Sequence, residues 1–411
     1  MNDPISVEDA RAKILLSLIP LSTERVNLDD AYQRVLAKDI VSSFDFPIYR
    51  TSSMDGYAVR RVDIRTASHD HPVQLDVIEE IPAGIQPQKE ILPGQCARIM
   101  TGALVPNSAD AVVPVEWTGA EVITGDDLVN QVDIYQPAPE GAFIRPTGQD
   151  IKAGETLVQT GTALEPHHLA LLATVGTNEI TAYRVPRVAI ISSGSELITP
   201  GQPLQPGKIY NANAYGIKGL VNKYHCEPLD LGIATDDPGE ILSCFDRAVA
   251  FQADLIISSA GVSVGGFDFI RPLLEQHGTL EFWRVNMRPG KPLAYGSYRS
   301  IPVVGLPGNP VSAFIDFLVF VVPALEHLKG NKGYKRAYQR GTLTETVESD
   351  GRESYFRVVS WIDDGQLKCK LTGHQGSGNI YSLVQANALL IVPSGVKSLP
   401  AGSNVELWML E

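Results

Sequence analysis

From about residue 188 to 327 the chain alternates short β-branched runs with segments of helical pattern: "RVAIISSG", "IYNANAYGIKGLVNKYH", "PLDLGIA", "DDPGEILSCFDRAVAFQA", "DLIISSAG" and "FDFIRPLLEQHG". Such alternation predicts a parallel sheet covered by helices. Within "DDPGE", Asp237 is placed to cap a helix whose first position is Pro238 and whose first turn carries Glu240. "PLAYGSYRSIPVVGL" reads as a hairpin running into the turn "GLPGNPVSA". The greasy run behind it, "AFIDFLVFVVPALEHL", is interrupted by Asp316 and Pro323 and is short for a membrane span, so it reads as a buried core helix.

Three strands of this region end in small, turn-forming residues: "IISSGSE" (Ile190 to Glu196), "IISSAGVS" (Ile256 to Ser263) and "VVGLPGNPVS". In open α/β sheets ligands bind outside the carboxyl ends of strands, where backbone N–H groups at helix starts hold anions. Gly and Pro shape a tight strand-to-helix crossing there, and Ser312 and Asn309 are placed to cap the helix and face a ligand. Taken alone, "LPGNP" reads equally well as a plain turn.

The flanks differ in character. Residues 334–411 are short strands with turn signals between them, a small all-β module. Residues 45–150 are also strand-rich, and Pro47, Pro72, Pro82, Pro87 and Pro93 argue against long helices there. At 411 residues the chain is long for one core, and about one domain per 150 residues predicts two to four. The boundaries expected are a discontinuous N-terminal region (1–48 and 151–184), a β-rich domain (49–150), an α/β domain (185–330) and a C-terminal β-barrel (334–411).

A formal net charge of −13 argues against a nonspecific grip on nucleic acid or anionic lipid, so an anionic ligand must be met locally. Cys96, Cys226, Cys244 and Cys369 are scattered without CxxC spacing, and read as reduced cytosolic thiols in the core. The stretch "MNDPISVEDARAKILLSLIPL" lacks a signal peptide's basic region and continuous apolar core, and reads as an amphipathic helix.

Several common signatures are missing. "GVSVGG" has the wrong spacing for GxGxxG, Lys291 in "RPGKP" has no Walker A context, and neither HExxH nor GxSxG occurs. What remains are polar clusters. "SSMDGYAVR" sets Asp55 beside Gly56, either a hairpin turn or a carboxylate projected into the open. "IMTGALVP" places Thr101 after a strand, and "RPTGQDI" supplies Arg145 and Asp150. "MRPGKPLAYG" carries Arg288 and Lys291 on one proline-stiffened loop, a solvated basic patch or a rigid anion clamp. His374 in "TGHQGS" reads as a surface histidine before a general base.

Taken together and in order, "SSMDGYAV", "RIMTGALVP", "GQDI", "SSGSEL", "IYNANAY", "SSAGVSVG", "MRPGKPLAYG", "GLPGNPVSA" and "TGHQGSG" resemble the MoeA family of molybdopterin molybdenumtransferases, which includes the E domains of gephyrin and plant Cnx1. The resemblance covers essentially the whole chain. It implies a multidomain α/β plus β fold: a parallel-rich molybdopterin-binding domain, a β-rich second domain and a small β-barrel tail. It also implies a cytoplasmic homodimer that contacts the molybdopterin adenylyltransferase. The implied reaction takes adenylylated molybdopterin and molybdate, inserts molybdenum at the dithiolene and releases AMP with Mg2+.

By the same resemblance Asp55, Asp150, Glu196, Asp236 and Asp268 are the catalytic carboxylates, with Glu196, Asp236 and Asp268 also the magnesium ligands. Substrate contacts are implied for Thr101, Arg145, Ser263, Arg288, Lys291, Pro307, Asn309, Pro310, Ser312, Arg357 and Ser377. An acidic pocket suits a hard cation held through oxygens and water, while Arg, Lys and strand-end amides suit phosphate and an oxyanion.

The chain departs from the family pattern at Arg50, Thr51, Gln149, Ser195, Ala260, Gly266 and Arg288, mostly by losing carboxylates, which implies weaker or redistributed cation binding. Alternatives are a tungsten-inserting variant or a pterin-binding scaffold without turnover. The missing fusion partner and long linker favour the enzyme. An unrelated phosphoryl or nucleotidyl transferase would need a nucleotide motif, and none is found.

Overall fold

A computed structural model describes residues 3–119, 130–259 and 270–410. The chain forms two compact units: Met1–Lys38, Thr160–Ala170 and Thr177–Glu411 in the first, Asp39–Gln159 and Leu171–Gly176 in the second.

In the first unit a six-stranded sheet runs in the order Glu227–Ala234, Arg187–Ser193, Leu255–Ser259, Ile301–Leu306, Pro292–Tyr298 and Gly278–Arg284. Neighbours among the first four strands are parallel, and the last two join antiparallel. Apolar side chains leave both faces of each strand. Val188 and Ile190 enter one core cluster, Ala189 and Ile191 the other. Burial on both sides explains why these strands read as continuous apolar runs.

The expected helix Pro238–Ala250 is capped as its sequence suggests. Asp237 accepts from the Gly239 and Glu240 N–H groups, both at 2.9 Å, with Pro238 in the first turn. The hairpin expected from "PLAYGSYRSIPVVGL" is present, and Arg299 and Ser300 turn it with φ of 45° and 68°. Two left-handed residues match the right-handed twist of the flanking strands.

The greasy run forms a helix over Pro310–Asp316, a π-helical turn over Phe317–Val321 and a helix over Val322–Leu328. By length and composition this stretch would pass for a membrane span, yet it is mostly buried inside the unit. The expected N-terminal helix, Val7–Ser17, buries Val7, Ala10 and Ile14 in the same core, and Ser6 caps it through the Asp9 N–H. Strand Thr23–Asn27 pairs antiparallel with Glu179–Tyr183, joining segments far apart in the chain.

The C-terminal module is a closed five-stranded barrel ordered Glu353–Asp363, Gln366–Leu371, Tyr338–Leu343, Asn404–Met409 and Ala388–Val392, with the last strand pairing back to the first. Tyr355, Leu389 and Trp408 join the core of the α/β sheet. A second link is direct: Met287 and Arg288 pair in parallel with Glu353 and Ser354.

The second unit is built on a five-stranded sheet ordered Ala111–Pro114, Gly56–Val59, Gln95–Ile99, Val73–Ile81 and Gln131–Ile134. Tyr57 and Val59 pack on one face, Ala58 on the other. As the prolines suggest, no α-helix occurs between residues 45 and 150 among those described. All four cysteines of the chain are buried and unpaired.

Candidate functional site

Three of the polar motifs converge within the second unit. Thr51 and Ser52 pair with Arg145 and Ile144, and the Ser52 N–H donates to the Ala103 carbonyl at 2.9 Å. Asp55 then meets Thr101 directly. Its Oδ1 accepts from the Thr101 N–H at 2.6 Å and from Oγ1 at 2.7 Å. The backbone bond, followed by the hydroxyl bond, holds the Asp55 carboxyl below its usual range. An exposed carboxylate with Oδ1 fixed in this way has a set direction and keeps its charge to lower pH than a free aspartate.

The alternative hairpin-turn reading of "DG" does not hold. Gly56 opens the central strand Gly56–Val59, and a Cβ there would lie 2.0 Å from the Val113 carbonyl oxygen. Close strand approach, and no turn, requires the glycine. Arg145 and Asp150 form an exposed ion pair with each other. Of the family departures here, Arg50 is spent on carbonyls, donating to Pro106 at 2.9 Å and to Ala109 at 3.2 Å, and Thr51 sits in the pairing with Arg145.

In the first unit the expected strand ends line up. Ser192 and Ser259 are register partners on adjacent parallel strands, and both are buried. Their hydroxyls lie 3.4 Å apart, and Asn211 Nδ2 donates to Ser192 Oγ at 3.0 Å. Asn211 also caps the helix Ala212–Lys223, accepting from Ala214 N–H. Two residues on, Asn213 Nδ2 donates to the Gly308 carbonyl at 2.9 Å, tying that helix start to the "LPGNP" turn. Sequence reasoning singled out "IYNANAY" without giving either asparagine a role. A polar residue just before a helical pattern was the available signal.

Beyond the serines, Gly194 turns the chain with φ of 145°, and a Cβ on it would meet the Glu196 carboxylate at 2.5 Å. Asp236 Oδ2 accepts from the Ser195 N–H at 3.0 Å, so Glu196 and Asp236 belong to one loop cluster. Lys208 donates to the Ser195 carbonyl in the same cluster, a cation that sequence reasoning did not anticipate. No group of three or more His, Cys, Asp or Glu side chains suited to a metal occurs among the described residues. Asp268, Ser263, Ala260 and Gly266 lie outside the described residues.

The "LPGNP" turn departs in detail from expectation. Asn309 occupies the cap position, yet its side chain makes no capping bond, and Ser312 is inside the helix, 4% exposed. Pro307 is buried and Pro310 opens the helix. The Val311 N–H donates to the Ser377 carbonyl at 3.1 Å, so the barrel loop "TGHQGSG" braces the helix start through its backbone. His374 in that loop is exposed.

Cations gather where the "MRPGKP" loop meets the barrel. Arg288 Nη1 is 3.8 Å from Asp350, whose carboxyl is held low mainly by a hydrogen bond from Arg352. Arg352 Nη1 also donates to the Met287 carbonyl at 2.9 Å. Lys291 is exposed and has no ion-pair partner among the described residues. Arg357 is 1% exposed, donating from Nε to Ser382 Oγ and from Nη2 to the Gly376 carbonyl. Burial first, then the charge of Arg288, push its pKa down to about 10. It stays protonated at neutral pH, a buried guanidinium with no carboxylate against it among the described residues.

Comparison with known proteins matches this arrangement along the chain. The model of the MoeA N-terminal region (domain I and II) matches residues 5–176, that of a probable molybdopterin binding domain residues 189–327, and that of the MoeA C-terminal region (domain IV) residues 340–410. A molybdopterin molybdenumtransferase of a Nostoc species is 38% identical over 97% of this chain and 92% of its own length. One from Haemophilus influenzae is 35% identical over 98% of both chains. The solved structure of the molybdopterin biosynthesis MoeA protein from Pyrococcus horikosii covers 100% of both chains with a TM-score of 0.83 at 32% identity.

Proposed function

The chain belongs to the MoeA family, and we infer that, like the relatives named molybdopterin molybdenumtransferase, it inserts molybdenum into molybdopterin in molybdenum cofactor biosynthesis. The observation that carries the reading to this chain's own residues is Arg357. A buried guanidinium without an acid beside it is costly unless an anion arrives to meet it. Arg288 and Lys291 on the adjoining loop extend that positive region outward, which suits an oxyanion and a pterin phosphate.

In the finer reading the substrate is adenylylated molybdopterin, and one water cleaves its phosphoanhydride, leaving the pterin's phosphate monoester and releasing AMP. Molybdate is the second substrate. The two dithiolene thiols replace one of its oxo groups, whose oxygen leaves with the two thiol protons as water. Arg288, Lys291 and Arg357 hold the anions, and the Pro307–Pro310 turn forms a wall. Within the second unit, Asp55, fixed by Thr101, and Asp150, paired with Arg145, are the proposed catalytic carboxylates.

A divalent cation fits the donor set. Mg2+ takes one or two carboxylates and keeps water and substrate phosphate oxygens as its other ligands. Glu196, which is exposed, and Asp236, which is half-buried, come from one loop cluster and would hold it, with Asp268 as a third. An ion held there would supply positive charge against the substrate's phosphates. The protein is proposed to act as a cytoplasmic homodimer that receives its pterin from the adenylyltransferase.

Purified protein incubated with adenylylated molybdopterin, molybdate and Mg2+ should release AMP in step with active cofactor. Tight pterin binding with no molybdate-dependent AMP would leave a scaffold and remove the enzyme reading. Arg357→Gln, which keeps most of the volume and some hydrogen bonding but deletes the charge, should keep the barrel folded, judged by circular dichroism, and lose anion affinity.

A further inference from the structure

Asp316 is the least expected residue of the buried helix. It is 0% exposed, and neither carboxyl oxygen has a hydrogen-bond partner among the described residues. Burial alone pushes its pKa well above the usual carboxylate value, the direction that keeps it uncharged. A buried polar group left unmatched costs several kcal/mol in ordinary cores. Its position is equally specific. It ends the helix that starts at the "LPGNP" turn and leads into the π-helical turn Phe317–Val321, a local distortion that is frequent at functional sites.

The carboxyl abuts Gly290, the centre of the "MRPGKP" loop. An ideal Cβ on Gly290 would lie 1.8 Å from Asp316 Oδ1 and 2.6 Å from Cγ, so Oδ1 occupies the space a side chain would need. Gly290 is itself buried and holds φ at 101°, a region L-residues rarely adopt. Two independent constraints therefore demand glycine there, and one of them is the acid. Arg288 and Lys291 flank this contact within two residues, and the helix that Asp316 ends begins at Pro310 of the "LPGNP" turn.

We propose that Asp316 is a positioning residue for the anion clamp: its buried carboxyl seats Gly290 and so fixes where the loop presents Arg288 and Lys291. The proposal rests on the molybdenum-insertion reading for the identity of the anion, but the seating itself does not. The carboxyl touches no substrate and transfers no proton.

Hydrogen exchange read by mass spectrometry tests the seating without any turnover. In Asp316→Ala, peptides covering 285–293 should exchange about tenfold faster, while those of the barrel strand Ala388–Val392 stay protected. Asp316→Asn, of the same shape, should keep parental exchange. Gly290→Ala should loosen the loop from the other side, and the Gly290→Ala/Asp316→Ala double variant should be less than additive because the two changes act on one contact. In the insertion assay, KM for molybdate should rise about tenfold in Asp316→Ala with kcat within about threefold, the pattern of a lost binding geometry. Unchanged loop exchange in both single alanine variants, or an Asp316→Asn variant as loose as Asp316→Ala, overturns the proposal. Additive effects of the two alanine changes overturn it as well. A parent protein with the expected exchange pattern but no molybdate-dependent turnover would remove the enzyme reading and leave the seating standing.

Discussion

Replacing Lys291 by Gln isolates one positive charge of the clamp. Of the three cations proposed to hold the anions, Arg288 is already shared with Asp350 at 3.8 Å, and Arg357 spends Nε and Nη2 on Ser382 and Gly376. Lys291 has an exposed ammonium with no ion-pair partner among the described residues, so its donors remain for a ligand. A hydrogen bond to a charged group contributes about 1.5–3 kcal/mol, which is roughly ten- to more than a hundredfold in affinity. Exposure places the effect near the lower end, because the screening length is about 8 Å at physiological ionic strength. The expected result is about a tenfold weaker molybdate affinity by titration calorimetry, with a difference that shrinks as salt is raised. Folding stability should stay within about 0.5 kcal/mol, as for other exposed substitutions. Lys291→Arg should recover only part of the loss, since a planar fork does not occupy a point charge's position. Molybdate held as tightly by Lys291→Gln as by the parent, at low salt, would refute the clamp.

Thr101→Val removes the hydroxyl bond to Asp55 and leaves the stronger backbone bond, so the Asp55 pKa should rise part of the way towards its ordinary 3.8. A depressed folded pKa stabilises the fold above the unfolded value and stops doing so as pH falls through the folded one. The parent should therefore keep this contribution to lower pH than Thr101→Val, and a carboxyl-carbon NMR titration checks it. An unshifted Asp55 in Thr101→Val would make the hydroxyl irrelevant. Burial pushes the thiols of Cys96 and Cys226 up to about 12 and that of Cys369 to about 11. All four cysteines should resist a chromogenic disulfide reagent at pH 8 until guanidinium unfolds the chain, and rapid labelling of the native protein would contradict their burial. Asp237→Ala loses both capping bonds of the Pro238–Ala250 helix and should cost about 1 kcal/mol in urea unfolding, with Asp237→Asn nearly neutral.

What the sequence made legible is what local chemistry specifies. The α/β alternation, the Asp237–Pro238 start and the hairpin before "GLPGNP" follow from periodicity and capping, and each is present. Residues whose reasons lie across the fold were not legible. Gly56 looks like half of an Asp-Gly turn until the Val113 carbonyl is seen against its Cα. Arg299 and Ser300 turn a hairpin in left-handed conformations that neither residue type advertises. Among candidate site residues, Asp55 and Thr101 were both picked out, but their bond requires the sheet that brings them together. Asp316 was visible only as a break in a greasy run.

The strand-end serines show why composition at a site can mislead about what touches a ligand. Small hydroxyl residues at the carboxyl ends of parallel strands invite the idea that they face the ligand. Here Ser192 and Ser259 face each other, and Asn211 closes the network while capping the next helix. A larger side chain at either serine would have to displace a buried polar contact, so small size serves packing at this level of the sheet. The proposed ligand-facing layer lies one step further out, in the loops those strands release. It holds Glu196, Asp236 and Lys208 around the Gly194 turn, while Pro307 to Pro310 are tied to Asn213 and braced by Ser377. These loops are anchored by hydrogen bonds to the sheet and the barrel. Their charged side chains can therefore keep a set direction at the surface, and in a chain of net charge −13 an anion must be met by such locally fixed groups, here the cations of the "MRPGKP" loop, because the overall field opposes it.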